Sequence, residues 1–153
     1  MGIHLTLGIR FPVSCCKTWN LKLETWNLIP AIYDGDTPAS ARSSIRKTAR
    51  MLLTNPDMLH TGILPHHTKW TRLFEQLRYV VVDELHTYRG VFGSNVANVI
   101  RRLRRICQFY GSDPTFVLCS ATIANPGELA AALVGDEVAL FAESGAPQGE
   151  RIV

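Results

Sequence analysis

From about residue 30 onward, the apolar residues of this chain fall into two alternating patterns. The first is a short continuous run, seen at Ala31-Ile32-Tyr33, Met51-Leu52-Leu53, Tyr79-Val80-Val81-Val82 and Phe116-Val117-Leu118-Cys119. Runs this short, bounded by turn sequences such as Asp34-Gly35-Asp36 and Asn55-Pro56, predict strands. The second pattern repeats every three or four residues and predicts helices. Trp70, Leu73, Phe74 and Leu77 share one helical face, and Val96, Val99, Ile100, Leu103, Ile106 and Tyr110 mark a longer one. The helix ends are signposted as well. Thr37 is placed to cap a helix that has Pro38 in its first position. Gly111 suits a helix C-terminus. Asn125-Pro126 opens a helix running to about Val134 and closed by Gly135. Residues 138–141 are expected to form a last strand.

Strand-helix alternation with continuously apolar strands predicts an α/β fold with a parallel sheet and helices on both faces. Residues 1–30 lack clear periodicity. Thr18-Trp19-Asn20-Leu21 recurs as Thr25-Trp26-Asn27-Leu28, but two copies do not make a repeat architecture. This stretch is left without an assigned structure and is read as a start foreign to the fold.

In open parallel sheets, ligands bind beyond the carboxyl ends of the strands. After residues 79–82 come Asp83 and Glu84. Adjacent carboxylates there repel each other and resist desolvation. A divalent cation removes that cost, so Asp83 is a candidate magnesium ligand. Glu84 can polarise a water for attack on a phosphoryl group, with His86 as a hydrogen-bonding neighbour. The structural alternative is an acidic strand end solvated in a loop. After residues 116–119 come Ser120, Ala121 and Thr122, whose hydroxyls could sense the ligand of nearby carboxylates; alone they read as a turn before the Asn125 cap. After residues 51–53 come Thr54, Asn55, Pro56 and Asp57. A hydroxyl, an amide and free backbone N–H groups suit phosphate oxygens, although Asn-Pro-Asp is also an ordinary turn.

The three segments occur in one order, each after a predicted strand. In that context Asp83-Glu84-Leu85-His86 resembles helicase motif II, Ser120-Ala121-Thr122 resembles motif III, and Thr54-Asn55-Pro56-Asp57 resembles motif Ib. The chain is similar to the DEAD/DEAH-box superfamily. The wider stretches 33–38, 81–90 and 120–126 resemble its YprA-type branch of bacterial DNA-repair helicases. The resemblance covers roughly residues 31 to 150 and implies a RecA-like fold of the P-loop NTPase type. It implies ATP and Mg2+ as cofactors, with Asp83 holding magnesium-ATP and Glu84 as catalytic base. It implies that Ser120 and Thr122 couple nucleotide state to strand separation, and that residues 54–57 touch the sugar-phosphate backbone. The implied activity is ATP-driven, 3′-to-5′ unwinding of DNA, with a second RecA-like domain as partner.

Two features depart from that family. No G-x-x-x-x-G-K-[ST] loop occurs, and the sequence contains no Gly-Lys dipeptide. That loop's backbone N–H groups and lysine would hold the β- and γ-phosphates. Motif Ia is not recognisable before residue 31. The expectation is therefore a truncated first RecA-like domain over residues 31–153, lacking the phosphate-binding loop and inactive alone.

Bulk properties add little. Of 153 residues, 46% are hydrophobic and 19% charged, so a packed domain is expected rather than disorder. A net charge of +3 permits a polyanionic partner without requiring one. Four cysteines without a C-x-x-C pair give a structural zinc site no support. Cys107 and Cys119 read as buried reduced thiols, which suits a cytoplasmic location. The start, Met1-Gly2-Ile3-His4-Leu5-Thr6, matches a short acylation pattern that recurs by chance. His60, His66, His67 and His86 lack the i, i+4 spacing of a zinc helix. Arg101, Arg102, Arg104 and Arg105 form either a solvated helix face or a phosphate-contacting stripe. Beside the helicase reading stand a non-catalytic nucleic-acid-binding module and a metal-dependent hydrolase using Asp83, Glu84 and His86.

Overall fold

A computed structural model of the chain describes residues 5–9, 30–121 and 123–141. Five strands form one sheet: β1 (Leu5–Ile9), β2 (Pro30–Ile32), β3 (Met51–Thr54), β4 (Leu77–Val82) and β5 (Thr115–Leu118), in the order β2-β3-β1-β4-β5. Among the described residues five α-helices accompany them, with shorter π and 3-10 turns between: α1 (Ala39–Thr48), α2 (Pro56–Met58), α3 (Thr71–Gln76), α4 (Gly90–Phe109) and α5 (Pro126–Val134). All four expected strand runs between residues 31 and 119 form strands.

The sheet is mixed. β2 pairs with β3, and β4 with β5, in the parallel sense expected. β1 lies between β3 and β4 and runs antiparallel to both. Its sequence, Leu5-Thr6-Leu7-Gly8-Ile9, does carry a period-two alternation. One five-residue copy of that pattern stands at the edge of a stretch with no further periodicity, so it is easily passed over. Alternation also says nothing about strand direction, because reversing the strand leaves both leucines on one face.

Leu5 and Leu7 stand in register with Thr54 and Leu52 on one side, and with Val82 and Val80 on the other. All six are buried. Buried side chains from α3, α4, α5 and the segment joining α2 to α3 pack with these apolar residues in one cluster. The opposite sheet face carries Ile32, Leu53, Val81 and Val117, which are half-buried or exposed.

α4 shows why the long periodic stretch folds as expected. Gly93, Val96, Ala97, Val99, Ile100, Leu103 and Cys107 are its buried residues, a stripe spaced for one face. Its C-terminus is closed by Gly111 at φ +76°. The Gly111 amide donates to Gln108 O at 3.0 Å and the Ser112 amide to Cys107 O at 2.9 Å, the paired bonds of a Schellman ending. Gly135, at φ +72°, ends α5 in the same left-handed conformation.

β1 seats residues 5–9, expected to be foreign to the fold, in the middle of the sheet, because Leu5 and Leu7 supply its buried face; three further expectations change. Thr37 does not cap α1; Pro38 holds that position. The Thr37 hydroxyl instead closes the turn after β2, accepting from the Asp34 amide at 2.9 Å. Residues 138–141 form no strand, and Leu140 and Phe141 are exposed. Cys119 is exposed rather than buried, because β5 is an edge strand and Cys119 lies past its last residue. Cys107 is buried as expected, and burial pushes its thiol up to about 11.

Candidate functional site

Because β1 opposes both β3 and β4, those two strands share a direction, and β2 and β5 run with them. Four carboxyl ends therefore open on one rim. Leu5, the first residue of β1, meets that rim between Thr54 and Val82.

Asp83 and Glu84 follow β4 at this rim. Val82 stands in register with Leu118, and the pairing continues beyond the regular strands. The Cys119 amide donates to Val82 O and the Leu85 amide to Cys119 O, both at 2.9 Å. The acidic pair is thereby set beside Cys119 and Ser120 on the same edge. Asp83, Ser120 and Ala121 are exposed, as a ligand-facing group must be. Thr122 lies outside the described residues.

Glu84 sits at φ +53° and ψ +43°, the sole positive φ on a non-glycine residue among those described. Strained backbone of this kind concentrates at functional sites. The turn at Glu84 lets Leu85 re-enter the core, where it is 2% exposed. Asp83 Oδ1 accepts the Glu84 amide at 2.9 Å. His86 Nδ1 lies 3.2 Å from Glu84 Oε2, within ion-pair reach, but the two do not meet hydrogen-bond geometry. His86 Nδ1 has no hydrogen-bond partner among the described residues, so its tie to Glu84 is one of proximity.

The Tyr88 hydroxyl is a residue the sequence reading did not single out. It is buried and has no hydrogen-bond partner among the described residues. Its pKa is pushed up to about 12, first by burial and then by the negative charge of Asp83. Tyr88 is positioned by Gly93 of α4, since a methyl group there would collide with the Tyr88 backbone carbonyl. The signal was available as an aromatic four residues after a motif II glutamate, but sequence could not show that its hydroxyl would be orphaned.

The residues expected to touch nucleic acid are placed differently. Thr54 is 2% exposed, and its hydroxyl donates to Tyr33 O at 2.7 Å. It therefore fastens β3 to the chain leaving β2. Asn55 accepts the Met58 amide at 2.7 Å and caps α2. Pro56 is buried, and Asp57 is exposed. A hydroxyl at a strand end can serve the fold as readily as a ligand, and here tertiary proximity to Tyr33 decides.

Other candidates resolve into structure. His67 Nδ1 lies 2.8 Å from the Tyr110 hydroxyl, while His60 and His66 are exposed. Among the described residues, no three His, Cys, Asp or Glu side chains gather to hold a metal. That does not conflict with magnesium, which is commonly held by one or two carboxylates and by substrate phosphates. The carboxylate oxygens of exposed Asp83 and half-buried Glu84 fit that hard cation. Arg104 donates to Val134 O at 3.0 Å and to Asp136 Oδ2 at 2.9 Å, so it ties α4 to the end of α5. Arg101 and Arg105 are exposed. No helix among the described residues is long and apolar enough to cross a membrane.

The fold is that of a RecA-like α/β domain, with the turn carrying Asp83 and Glu84 beside the turn carrying Ser120. Residues 14–129 match the DEAD/DEAH box helicase family. This chain belongs to that family. It is 63% identical over 119 residues to the uncharacterised ATP-dependent helicase YprA of Bacillus subtilis, covering 78% of this chain and 16% of that protein. It is 48% identical over 131 residues to the ATP-dependent helicase HRQ1 of Saccharomyces cerevisiae, covering 84% of this chain and 12% of that one. A crystal structure of the DUF1998 helicase MrfA bound to DNA and AMPPNP matches with a TM-score of 0.78 at 61% identity, covering 80% of this chain and 17% of that chain. The chain thus spans under a fifth of the length of these relatives.

Proposed function

We propose that this chain carries the magnesium-binding and water-activating segment of an ATP-dependent DNA helicase motor, and that by itself it neither hydrolyses ATP nor unwinds DNA. One observation carries the reading: the Leu85-to-Cys119 bond sets Asp83 and Glu84 alongside Ser120 at a shared rim. Magnesium, when bound, would neutralise charge on the phosphate oxygens. Asp83 would hold it directly or through water, and Glu84 would take a proton from the attacking water. His86 lies close enough to Glu84 to bias its orientation. Ser120, Ala121 and Thr122 would report the state of that edge to the rest of the motor.

The inactivity follows from the sequence. Without a Gly-Lys phosphate loop, little besides Asp83 grips the triphosphate. We place residues 31–153 as part of a first RecA-like domain, with a second domain as the partner that completes the site. The printed descriptions of the relatives, ATP-dependent helicases and a DNA- and AMPPNP-bound homologue, support this assignment.

The test is phosphate release from magnesium-ATP, with and without single-stranded DNA. The isolated chain should show none above background. DNA-stimulated release that Glu84→Gln abolishes would overturn the inactivity. In a longer chain that includes the phosphate loop, Glu84→Gln should lower turnover by about a hundredfold or more and leave DNA binding intact. Unchanged turnover would remove Glu84 from its role. A non-catalytic nucleic-acid-binding module is the second reading, favoured by the missing loop. It requires salt-sensitive DNA binding that nucleotide never alters, even in the longer chain.

A further inference from the structure

On the β2–β3 side of the rim lies a cavity of about 420 Å³, walled by Tyr33, Arg42, Arg46, His66, Lys69 and Trp70 among others. No carboxylate of a described residue lines it. Three cations facing one concavity without a counter-charge repel one another, and an anion entering it relieves that repulsion.

The cations are not equivalent. Arg42 is committed to the fold: its Nε donates to Thr37 O at 2.9 Å and its Nη2 to Asp34 O and Gly35 O at 3.3 Å. Its guanidinium also lies 5.5 Å from the centre of the Tyr33 ring. Among the described residues Arg46 makes only a long contact, Nη1 to the Tyr33 hydroxyl at 3.5 Å. Lys69 is exposed, and neither Arg46 nor Lys69 forms an ion pair with a described residue. These two come from α1 and from the segment before α3, so only the tertiary fold brings them together.

The floor shows which part of a ligand enters. Tyr33 and Trp70 meet edge to face with centroids 4.8 Å apart. They are 3% and 2% exposed, so neither offers a face on which a base could stack. What remains accessible is positive charge, which recognises phosphate. β2 lies three strand spacings from β4, on the order of 14 Å. A triphosphate anchored at Asp83 would not reach across that span, whereas a polymer following the rim meets both places.

We infer that this cavity binds a phosphodiester group of the nucleic-acid strand, with Arg46 and Lys69 as the anion contacts. The inference rests on the motor reading above and moves the backbone contact from residues 54–57 to their neighbours. Thr54 then serves it indirectly, by holding the Tyr33 carbonyl. Recognition here is independent of sequence, because no base edge or base face is engaged.

The experiment is fluorescence anisotropy of a labelled oligothymidylate titrated with the 153-residue chain over a range of salt. Wild type is compared with Arg46→Ala/Lys69→Ala and with a charge-matched control, Arg101→Ala/Arg105→Ala. The cavity variant should lose about tenfold or more in affinity, and its slope of log affinity against log salt should fall by about 1.4. The control should change affinity by no more than about twofold. Equal losses in both variants would reduce the effect to net charge and overturn the cavity. Wild-type binding that survives Arg46→Ala/Lys69→Ala would overturn it too, while leaving the motor reading in place. No salt-sensitive binding by wild type would sink both. Should the double variant fail to fold, Lys69→Gln touches an exposed side chain and should lower the slope by about 0.7. Displacement of the oligonucleotide by magnesium-ATP at matched ionic strength, from wild type but not from the cavity variant, would make this a free-nucleotide site and overturn the strand assignment.

Discussion

The amide of Leu85 donates to the carbonyl of Cys119 at 2.9 Å, and through that bond the turn carrying Asp83 and Glu84 is locked to the turn carrying Ser120. The two turns belong to different strands, 34 positions apart in the chain (119 − 85). Were a ligand on Asp83 to shift its turn, this backbone link would carry the shift to the turn at Ser120.

Glu84 holds a left-handed conformation at φ +53°, which asparagine tolerates better than longer side chains do. Glu84→Asn should therefore be more stable than Glu84→Gln by a few tenths to about 1 kcal/mol. Both substitutions remove the charge, so denaturant unfolding of the pair isolates the backbone. Equal stabilities would show that the turn is not strained.

Gly93→Ala should destabilise by about 1–3 kcal/mol, because the new methyl meets the Tyr88 backbone. Gly127→Ala is the control. A methyl at Gly127 would meet nothing within 4 Å, and alanine in the first turn of α5 should leave stability unchanged or raise it by up to about 1 kcal/mol. Thermal melts of the two variants check the contrast.

Tyr88→Phe should be at least as stable as wild type near neutral pH, since the lost hydroxyl is buried without a partner among the described residues. The pH dependence has a definite sign. The folded phenol titrates near 12, above its ordinary value of 10.0, so the folded state holds the proton more tightly. Its contribution is fully present below pH 10 and is lost as pH rises toward 12, on the order of 2 kcal/mol in all. Cys107 falls off in an overlapping window, from its ordinary 9.0 up to about 11. The difference between wild type and Tyr88→Phe in alkaline unfolding isolates the tyrosine. Identical alkaline profiles would contradict its burial beside Asp83.

Arg104→Ala should lower stability by about 1 kcal/mol, through loss of its bond to the Val134 carbonyl at the end of α5. The same guanidinium holds the Asp136 carboxyl below the usual range. Asp136 is solvated, so Asp136→Asn should leave the melting temperature nearly where it was. If Asp136→Asn is as damaging as Arg104→Ala, the ion pair and not the carbonyl bond holds the two helices.

The sequence alone determined the strand runs between residues 31 and 119, the chemistry that follows them at Asp83, Glu84 and Ser120, the apolar stripe of α4 and the glycine endings of α4 and α5. Each is a local or periodic property, legible wherever one element must bury one face or satisfy its own terminus. Tertiary structure decided the rest. It set the direction of β1, because Leu5 and Leu7 reach the same face whichever way the strand runs. It also assigned the Thr54 hydroxyl to Tyr33, left the Tyr88 hydroxyl unpartnered, and gathered Arg46 and Lys69 at one cavity. A hydroxyl or a cation has no partner written into its own neighbourhood; what it meets depends on chain that is distant in sequence and adjacent only once the core has closed.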